Sequence, residues 1–308
     1  MQRFGDRVAH AVAERRSQLV LGLDPDPAKL WPRAVELVGG PGDPPAPPAA
    51  RAAMAVAIHC VLALEATAEH CVAVKLQVAC FERLGAPGWA ALAEAIRRAR
   101  EHDLLVIVDA KRGDVPVTAA AYAQAYLGQT PSMFGAIEGL GADALTVNPL
   151  LGGDSLTPFI DAARPSGAGV FALVRTSNAG AREVQELVLE DGGTVSDRLA
   201  ASVGHLGAGG IGESGLADVG AVVGATAPER LERLRELMPS AILLIPGVGA
   251  QGGRIEDLRA GFAPGPAGAL ITVSRGIVSA HEQAGGDPAA AARREAERLR
   301  EAAWQLSG

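Results

Sequence analysis

The sequence predicts an α/β fold, a (β/α)8 TIM barrel that forms a single domain over residues 1–308. Short and nearly continuous apolar runs recur eight times, and most are followed by a stretch rich in Ala, Arg and Glu. Such runs are typical of strands in a parallel sheet whose two faces are covered by helices. Eight of these units favour a closed barrel over an open doubly wound sheet, and single barrels commonly reach about 250 residues or more.

Each of the eight predicted strands ends in polar residues or glycine. They comprise residues 19–23, 73–76, 104–108, 144–147, 170–174, 219–223, 241–245 and 269–273. The proline-rich segment 39–50 follows the first strand and is predicted to be a surface insertion without helix or strand. The glycine-rich segment 207–215 is interpreted as either a lid or a linker. A C-terminal helix is predicted at 288–306, where Trp304 can pack on the outer ring.

Composition and charge exclude several classes of protein. The 28 Lys and Arg residues against 35 Asp and Glu give a net charge of −7, which disfavours broad binding to nucleic acid or anionic lipid. The longest apolar run, 52–64, is interrupted by His59 and is shorter than the roughly 20 residues that span a bilayer, so no membrane span is predicted. Charged residues within 1–18 are unlike a secretory signal, which makes the cytoplasm the expected compartment.

The cysteines are few and odd in number. Cys60, Cys71 and Cys80 do not suggest a disulfide framework. The pairs His59-Cys60 and His70-Cys71 recur 11 residues apart, close to three helical turns, which raises the alternative of a metal site. Their neighbours are apolar, and buried free cysteine behaves as a small hydrophobic residue. We therefore predict no metal site.

Charged residues follow several of the predicted strands, where a barrel of this kind builds its active site. Strand alternation places Asp109 and Lys111 on the same side, at the mouth of an otherwise apolar barrel. Lys75 and Asp24 belong to neighbouring strands and complete an array of alternating charge, which is costly to bury unless it is paired. The array is either catalytic or a salt-bridge cluster that closes the barrel end. Arg112 points outward by the same alternation.

Two glycine-containing segments indicate a phosphate site. The loops after the last two barrel strands often bind phosphate, and here they are IPGVGAQGG at 245–253 and VSRG at 273–276. Glycines allow backbone N–H groups to converge, Arg275 supplies a forked cation and Gln251 adds an amide. Glycine also ends strands for geometric reasons alone, so Arg275 is the decisive residue. The expected ligand is a phosphorylated small molecule.

These motifs together resemble the orotidine 5′-monophosphate decarboxylase family, and more specifically its longer bacterial branch, type 2. The resemblance runs from about residue 19 to 278 and rests on Asp24, Lys75, the box DAKRGD at 109–114, PGVGAQGG at 246–253 and SRG at 274–276. It implies a barrel homodimer without cofactor or metal. It also implies conversion of orotidine 5′-monophosphate (OMP) to UMP and carbon dioxide in de novo pyrimidine biosynthesis, EC 4.1.1.23.

The resemblance also implies roles for the charged residues. Lys111 would protonate carbon 6 of the pyrimidine, and Asp109 would face the carboxylate of the substrate. Lys75 and Asp24 would hold the ribose hydroxyls. A fixed ammonium stabilises the carbanion left by carbon dioxide more than it stabilises the neutral ring of the ground state, which agrees with this assignment.

The remaining roles that the resemblance implies concern binding. Asp114, assigned with the catalytic residues, and Thr118 would reach into the active site of the neighbouring subunit. Ser177 would contact the pyrimidine edge, while Gln251 and Arg275 would bind the phosphate. The sequence departs from the family pattern at 178–179, where Asn-Ala stands in place of the histidine-proline of shorter members. The insertion at 39–50 has no counterpart.

Two other functions fit parts of the pattern. A magnesium-dependent sugar-phosphate lyase of the same superfamily can share a D-x-K-x-x-D box, and a further carboxylate near the end of the second strand would favour it. Lys75 and Gln77 occupy that place. A barrel that binds a phosphate ligand without catalysis is the other alternative, since fold does not decide function. Two lysines and two aspartates in one apolar mouth exceed what binding alone requires.

Overall fold

Eight parallel strands close into a barrel in the computed structural model, which describes residues 2–39 and 46–308. Each strand pairs with its neighbours along the chain, and the last pairs with the first. The strands are β1 Leu19–Leu23, β2 Ala73–Gln77, β3 Leu105–Arg112, β4 Ala144–Val147, β5 Gly169–Arg175, β6 Val219–Val223, β7 Leu243–Pro246 and β8 Ala269–Val273. The predicted fold class is confirmed.

Helices surround this barrel. They are α1 Phe4–Arg15, α2 Pro32–Glu36, α3 Pro48–Thr67, α4 Val78–Glu82, α5 Ala86–Glu101, α6 Pro116–Tyr126, α7 Gly153–Ala163, α8 Ala181–Val184, α9 Val195–Gly207, α10 Leu231–Leu237, α11 Arg275–Val278, α12 Ala280–Ala284 and α13 Pro288–Ser307. Short 3-10 turns occur at Ala68–His70, Arg164–Ser166, Ala208–Gly210, Pro228–Arg230, Ile255–Phe262 and Pro266–Gly268. A small antiparallel hairpin, Gln129–Thr130 with Ile137–Glu138, lies outside the barrel.

The apolar residues form two layers because successive side chains of a strand point to opposite faces. One layer fills the barrel and the other packs between the strands and the helices. Helix α1 closes the N-terminal end, where Phe4 lies edge to face on Phe171 with the ring centroids 5.9 Å apart. Packing at this end leaves the C-terminal ends of the strands to form the open mouth.

The helix α3 corrects one expectation and bears on a second. It begins at Pro48, so the prediction that 39–50 lacks helix is wrong at its end; proline is well suited to the first turn of a helix, where its missing N–H costs nothing. Residues 40–45 of that insertion lie outside the described part. The segment Pro48–His70 is also long and apolar enough to cross a membrane by length and composition. One side of it, including Val56 and Leu64, is buried in the outer layer of the core, which accounts for this apolar character.

The segment 207–215 lies at the closed end of the barrel, before β6. There the backbone N–H of Ser214 donates a 2.7 Å hydrogen bond to Asp6, and the Arg3 guanidinium binds the carbonyl of Ile211. The active-site mouth is at the opposite end of the strands. The lid alternative is therefore wrong, and the segment is a linker between α9 and β6.

Candidate active site

A buried carboxylate lies at the centre of the open end of the barrel. Asp109, on β3, accepts hydrogen bonds from Nζ of Lys75 at 2.7 Å and Nζ of Lys111 at 2.6 Å. It also accepts from Nε2 of Gln77 at 3.1 Å and Oγ1 of Thr146 at 2.7 Å. Both oxygens of the carboxylate therefore have two donors each, and one of each pair is a cation. Charge-assisted bonds of this kind fix the carboxylate more firmly than neutral ones would.

The four charged residues form the alternating array that the sequence predicted. Nζ of Lys75 lies 3.6 Å from Oδ1 of Asp24 and 2.7 Å from Asp109, which in turn binds Lys111. The side chains of Lys75 and Asp109 are each 7% exposed, whereas Asp24 and Lys111 are 40% and 43% exposed. The array lines a cavity of about 350 Å3. It does not seal the barrel end, because all four residues line this cavity and Asp24 and Lys111 remain partly exposed.

The surroundings keep the inner pair of charges ionised. Burial alone raises the pKa of Asp109, but the ammonium groups of Lys75 and Lys111 lower it by more, so this pKa lies well below its ordinary value. Burial lowers the pKa of Lys75, and the charges of Asp109 and Asp24 raise it by more. The carboxylate and the ammonium therefore both remain charged at neutral pH.

Lys111 has an unusual backbone conformation. Its φ is +49°, in the left-handed region that residues with a side chain rarely adopt. The register of β3 against β4 shifts between Val108 and Arg112, and the Lys111 N–H donates at 2.9 Å to Thr146 rather than to a strand carbonyl. Such strain costs of order 1–3 kcal/mol and persists where surrounding contacts impose it. It orients the ammonium toward Asp109 at the cavity.

The rim of the cavity carries the residues expected to bind phosphate. Gln251 and Arg275 both line it, and both are exposed. The glycine-rich loop that carries Gln251 is closed on itself, because the N–H of Gly249 donates to the carbonyl of Gly253 and the N–H of Gly253 donates to that of Gly247. These two N–H groups are therefore not available to a ligand, in contrast to the expectation that the glycines present theirs. Glycine is required for shape instead, since Gly247 and Gly249 have positive φ.

One wall of the cavity is polar and another is apolar. Ser177 and Asn178, after β5, lie on the polar wall, and Thr226 donates a 3.1 Å hydrogen bond to the Ser177 carbonyl. The apolar wall comes from Leu173, Val222 and Leu244, which belong to β5, β6 and β7. A flat ring with polar edges matches such a pocket, since apolar walls take the ring faces and a few placed polar groups fix its orientation.

The family model described as "Orotidine 5'-phosphate decarboxylase / HUMPS family" matches residues 17–294. The chain belongs to this family. A curated orotidine 5′-phosphate decarboxylase of Deinococcus radiodurans is 40% identical over 281 residues, which is 89% of this chain and 88% of the relative. The enzyme of the same name from Rhodopirellula baltica is 45% identical over 225 residues, or 73% of each chain.

Solved structures agree with this membership of the orotidine 5′-phosphate decarboxylase / HUMPS family. The OMP decarboxylase of Leishmania donovani matches with a TM-score of 0.72 and 33% identity, covering 98% of this chain and 99% of that one. The UMP synthase of the same organism matches with a TM-score of 0.74 and 34% identity. This chain spans 57% of the UMP synthase chain, so the likeness concerns only part of that larger protein.

Two residues expected at the active site of an orotidine 5′-phosphate decarboxylase lie elsewhere in the single chain. Asp114 and Thr118 follow β3 and do not line the cavity. The carboxylate of Asp114 accepts a 2.7 Å hydrogen bond from the N–H of Val115, and Thr118 is exposed on α6. Arg112 lies on the outside of the barrel, where it pairs with Glu82, as alternation predicts.

Thr146 is the site residue that the sequence analysis missed. It is the one polar residue of β4, ALTV, and it lies two positions after the inward-facing Ala144. That alternation was a usable signal, but a single hydroxyl in an apolar strand does not stand out.

From the sequence, Gln77 was noted only because it stands near the end of the second strand, where a lyase would favour a carboxylate. Both Gln77 and Lys75 donate to Asp109, which disfavours the magnesium-dependent lyase, because a carboxylate at that place would favour binding of the metal ion.

The histidines and cysteines considered for a metal site have other contacts. Nδ1 of His59 accepts a 3.1 Å hydrogen bond from the N–H of Trp31, and burial lowers the His59 pKa to about 4. Cys60 and Cys71 are buried thiols whose pKa is raised by burial. Within residues 2–39 and 46–308, no three His, Cys, Asp or Glu side chains are grouped as a metal ion would require.

Proposed function

We propose that this chain decarboxylates OMP to UMP and carbon dioxide, as its family and its curated relatives indicate. One observation carries the proposal beyond the family name. A carboxylate with a lowered pKa is held between two ammonium groups at the floor of a cavity whose rim carries an exposed arginine. This arrangement provides a cation at the reacting carbon and a separate cation for a phosphate.

The phosphate of OMP binds Arg275 and Gln251 at the rim, and the pyrimidine lies between the apolar wall and Ser177. Lys75 and Asp24, on β2 and after β1, hold the ribose hydroxyls beside the barrel axis. Binding energy from the phosphate, which is remote from the reacting bond, orients the ring in the cavity. Carbon 6 and its carboxylate then face Lys111 and Asp109.

The reaction breaks the bond between carbon 6 and the carboxylate carbon. Carbon dioxide leaves, and the electron pair of that bond remains on carbon 6 as a carbanion. The ammonium of Lys111 stabilises this charge, which is absent in the ground state, and then transfers a proton to carbon 6. Lys111 is left neutral and regains a proton from solvent, to which its side chain is 43% exposed.

Asp109 positions Lys111. Its Oδ1 binds the Lys111 ammonium at 2.6 Å, while Lys75, Gln77 and Thr146 hold the carboxylate from the other directions. A side chain as flexible as lysine loses about 1.5–2 kcal/mol of conformational freedom when it is fixed. Because Asp109 already holds the Lys111 side chain before substrate binds, this entropy is lost during folding and does not add to the activation free energy of the reaction.

The chain is expected to act as a homodimer. Large apolar side chains of α6 and of the hairpin that follows it are strongly exposed in the single chain, among them Val117 at 86%, Met133 at 95% and Phe134 at 96%. Exposed patches of this kind mark interaction sites. Asp114 and Thr118 belong to the same segment as Val117, which supports their role in the active site of the partner subunit.

The three cysteines, all within the described residues, form no disulfide, which fits the reducing environment of the cytoplasm.

The direct test is to incubate the purified chain with OMP and to follow formation of UMP. We expect turnover by the wild-type chain, and a fall of at least about 10³-fold for Lys111→Ala, the range expected when a proton donor and a charge stabiliser are lost together. The control is Arg254→Ala, which removes an exposed positive charge just after the glycine-rich loop at 245–253. This variant should retain activity. Absence of UMP formation by the wild-type chain would contradict the proposal.

A further inference from the structure

The polar wall of the cavity contains a chain of hydrogen bonds with a fixed direction. The backbone N–H of Thr176 donates to Oε1 of Gln185 at 2.8 Å. A backbone N–H can only donate, so the Gln185 atom at this position is the oxygen. The nitrogen of the same amide then lies 3.0 Å from Oγ1 of Thr176 and donates to it. The orientation of Gln185 is therefore set by the main chain and not by a choice between two equivalent amide positions.

The direction continues to Asn178. The Thr176 hydroxyl accepts from Gln185, and its own proton has two acceptors in reach, Oε1 of Gln185 at 3.3 Å and the Asn178 amide at 2.6 Å. The shorter contact takes the proton, which assigns the Asn178 atom there as the oxygen Oδ1. The amide nitrogen Nδ2 of Asn178 is left on the other side. Among the residues that the structure describes, Nδ2 has no hydrogen-bond acceptor, and Asn178 lines the cavity. Nδ2 lies beside Gly180, and the Asn178 side chain therefore holds, among the described residues, an unpaired N–H donor of fixed polarity at the cavity wall.

Gln185 is itself held in place. The neighbouring Glu186 forms a 2.7 Å ion pair with the buried Arg175, the last residue of β5. The carbonyl of Gln185 accepts a 2.8 Å hydrogen bond from the N–H of Ser196, at the start of α9. These contacts tie the excursion after β5 to both the barrel and the helix ring. The chain of hydrogen bonds therefore starts from a side chain whose backbone is fixed.

We propose that Asn178 determines which pyrimidine is accepted, by donating from Nδ2 to a carbonyl oxygen on the ring, and that Gln185 is a positioning residue that fixes this polarity through Thr176. The inference rests on the proposed function. A uracil-type ring presents a carbonyl oxygen at carbon 4, whereas a cytosine-type ring presents an amino group there. If a cytosine-type ring binds, its amino group faces the N–H of Asn178, and neither donor has an acceptor. The cavity should therefore bind a cytosine-type ring much more weakly than a uracil-type ring.

Gly180 supports this assignment. A Cβ atom on Gly180 would lie 3.3 Å from Nδ2 of Asn178, a closer contact than such atoms usually make. The backbone of Gly180 has φ −64°, which any residue can adopt, so glycine is not needed there for conformation. Its lack of a side chain leaves space beside the amide nitrogen.

The test compares the dissociation constants of UMP and CMP, measured by calorimetry. The wild-type chain should prefer UMP. Asn178→Asp replaces the donor by an acceptor of the same shape, and the ratio of CMP to UMP dissociation constants should fall at least about tenfold, the effect of one hydrogen bond to a charged group. The ratio cancels any general weakening of phosphate binding by the added charge.

Gln185→Glu tests the positioning role while Asn178 is left intact. The carboxylate can accept from both the N–H and the hydroxyl of Thr176, so the Thr176 oxygen becomes an acceptor toward Asn178, whose amide turns and presents its oxygen to the cavity. The ratio should fall as it does in Asn178→Asp. Val184→Glu adds the same charge on exposed α8, away from Thr176, and should leave the ratio unchanged.

Each outcome has a definite meaning. If the wild-type chain forms UMP from OMP but both variants keep the wild-type ratio, the inference is overturned while the proposed function stands. If only Asn178→Asp lowers the ratio, the positioning role of Gln185 is overturned. Failure of the wild-type chain to form UMP would instead remove the proposed function on which the inference rests.

Discussion

Nζ of Lys111 lies 2.6 Å from Oδ1 of Asp109, two residues earlier in the same strand. In a regular strand these residues would only share a face. Here the left-handed backbone of Lys111 and a register shift bring its ammonium group onto the carboxylate of Asp109. The contact links the stability of the barrel mouth to its chemistry, because the same carboxylate also neutralises the buried Lys75.

Asp109→Asn should destabilise the fold. It leaves the buried Lys75 without a full counter-charge, and breaking a buried pair costs about 3–5 kcal/mol. We expect about 3 kcal/mol, the lower end, because Lys111 is partly exposed to water. Urea denaturation of both proteins measures the difference in unfolding free energy. Asp24→Asn, whose carboxylate is 40% exposed and lies 3.6 Å from Lys75, is the comparison and should cost less.

The pH dependence of that difference follows from the two pKa shifts. The pKa of Asp109 is lowered in the folded state, so its contribution is present above the unfolded value of about 3.9 and is lost as pH falls through the folded value. The pKa of Lys75 is raised, so its contribution is present below about 10.4 and is lost as pH rises through the folded value. The destabilisation by Asp109→Asn should therefore be constant between pH 5 and 9. A decline within this window would show that one partner is not ionised.

Arg275→Ala should weaken binding of UMP with little effect on the fold. Arg275 is exposed at the cavity rim, and each charge-assisted hydrogen bond to a phosphate contributes about 1.5–3 kcal/mol. The dissociation constant should therefore rise at least about tenfold, while the melting temperature stays within about 2 °C of the wild type. Calorimetry and thermal denaturation measure the two quantities, with Arg254→Ala as control. An unchanged affinity would place the phosphate elsewhere.

Activity should not depend on a divalent metal ion. The carboxylate that a metal would use, Asp109, already accepts four hydrogen bonds, two of them from ammonium groups that would repel a cation. Turnover of OMP in excess EDTA should equal turnover without it. Loss of activity in EDTA that magnesium restores would be the opposite result.

Active sites shared across a dimer predict complementation between two inactive variants. In a heterodimer of Lys111→Ala and Asp114→Ala, one site carries both changes and the other carries neither. Random mixing of equal amounts makes about half of the dimers heterodimers, each with one intact site of two, so about a quarter of wild-type activity should return. No recovery, with subunit exchange shown by mass spectrometry, would place Asp114 in its own subunit's site.

The sequence was sufficient to predict the barrel because the strands are apolar on both faces. The ranges 19–23, 144–147, 219–223 and 269–273 agree with the observed strands. The prediction ended β3 at residue 108, whereas the strand continues to Arg112, because the charged residues that follow look like a loop when read alone. These charged residues extend the strand because groups from other parts of the barrel pair with them, and those partners are not visible in the local sequence.

Features that depend on distant contacts could not be predicted. Thr146 matters because β4 lies beside β3, and Gln185 matters because the chain after β5 folds back on Thr176. The position of 207–215 was ambiguous for the same reason, since a glycine-rich segment does not indicate which end of the barrel it joins. The charge array was predictable because its four residues lie at or just after the ends of neighbouring strands, which meet at the mouth of an otherwise apolar barrel.

The role of Lys111 is tested most directly by single turnover of OMP with Lys111→Ala, alongside its affinity for UMP. We predict that the variant binds UMP within about fivefold of the wild type, forms UMP at least about 10³-fold more slowly, and recovers part of its rate with added methylammonium, which supplies the missing cation and proton. Turnover within tenfold of the wild type, or a lost rate explained wholly by lost binding, would contradict the assignment of Lys111 as the proton donor.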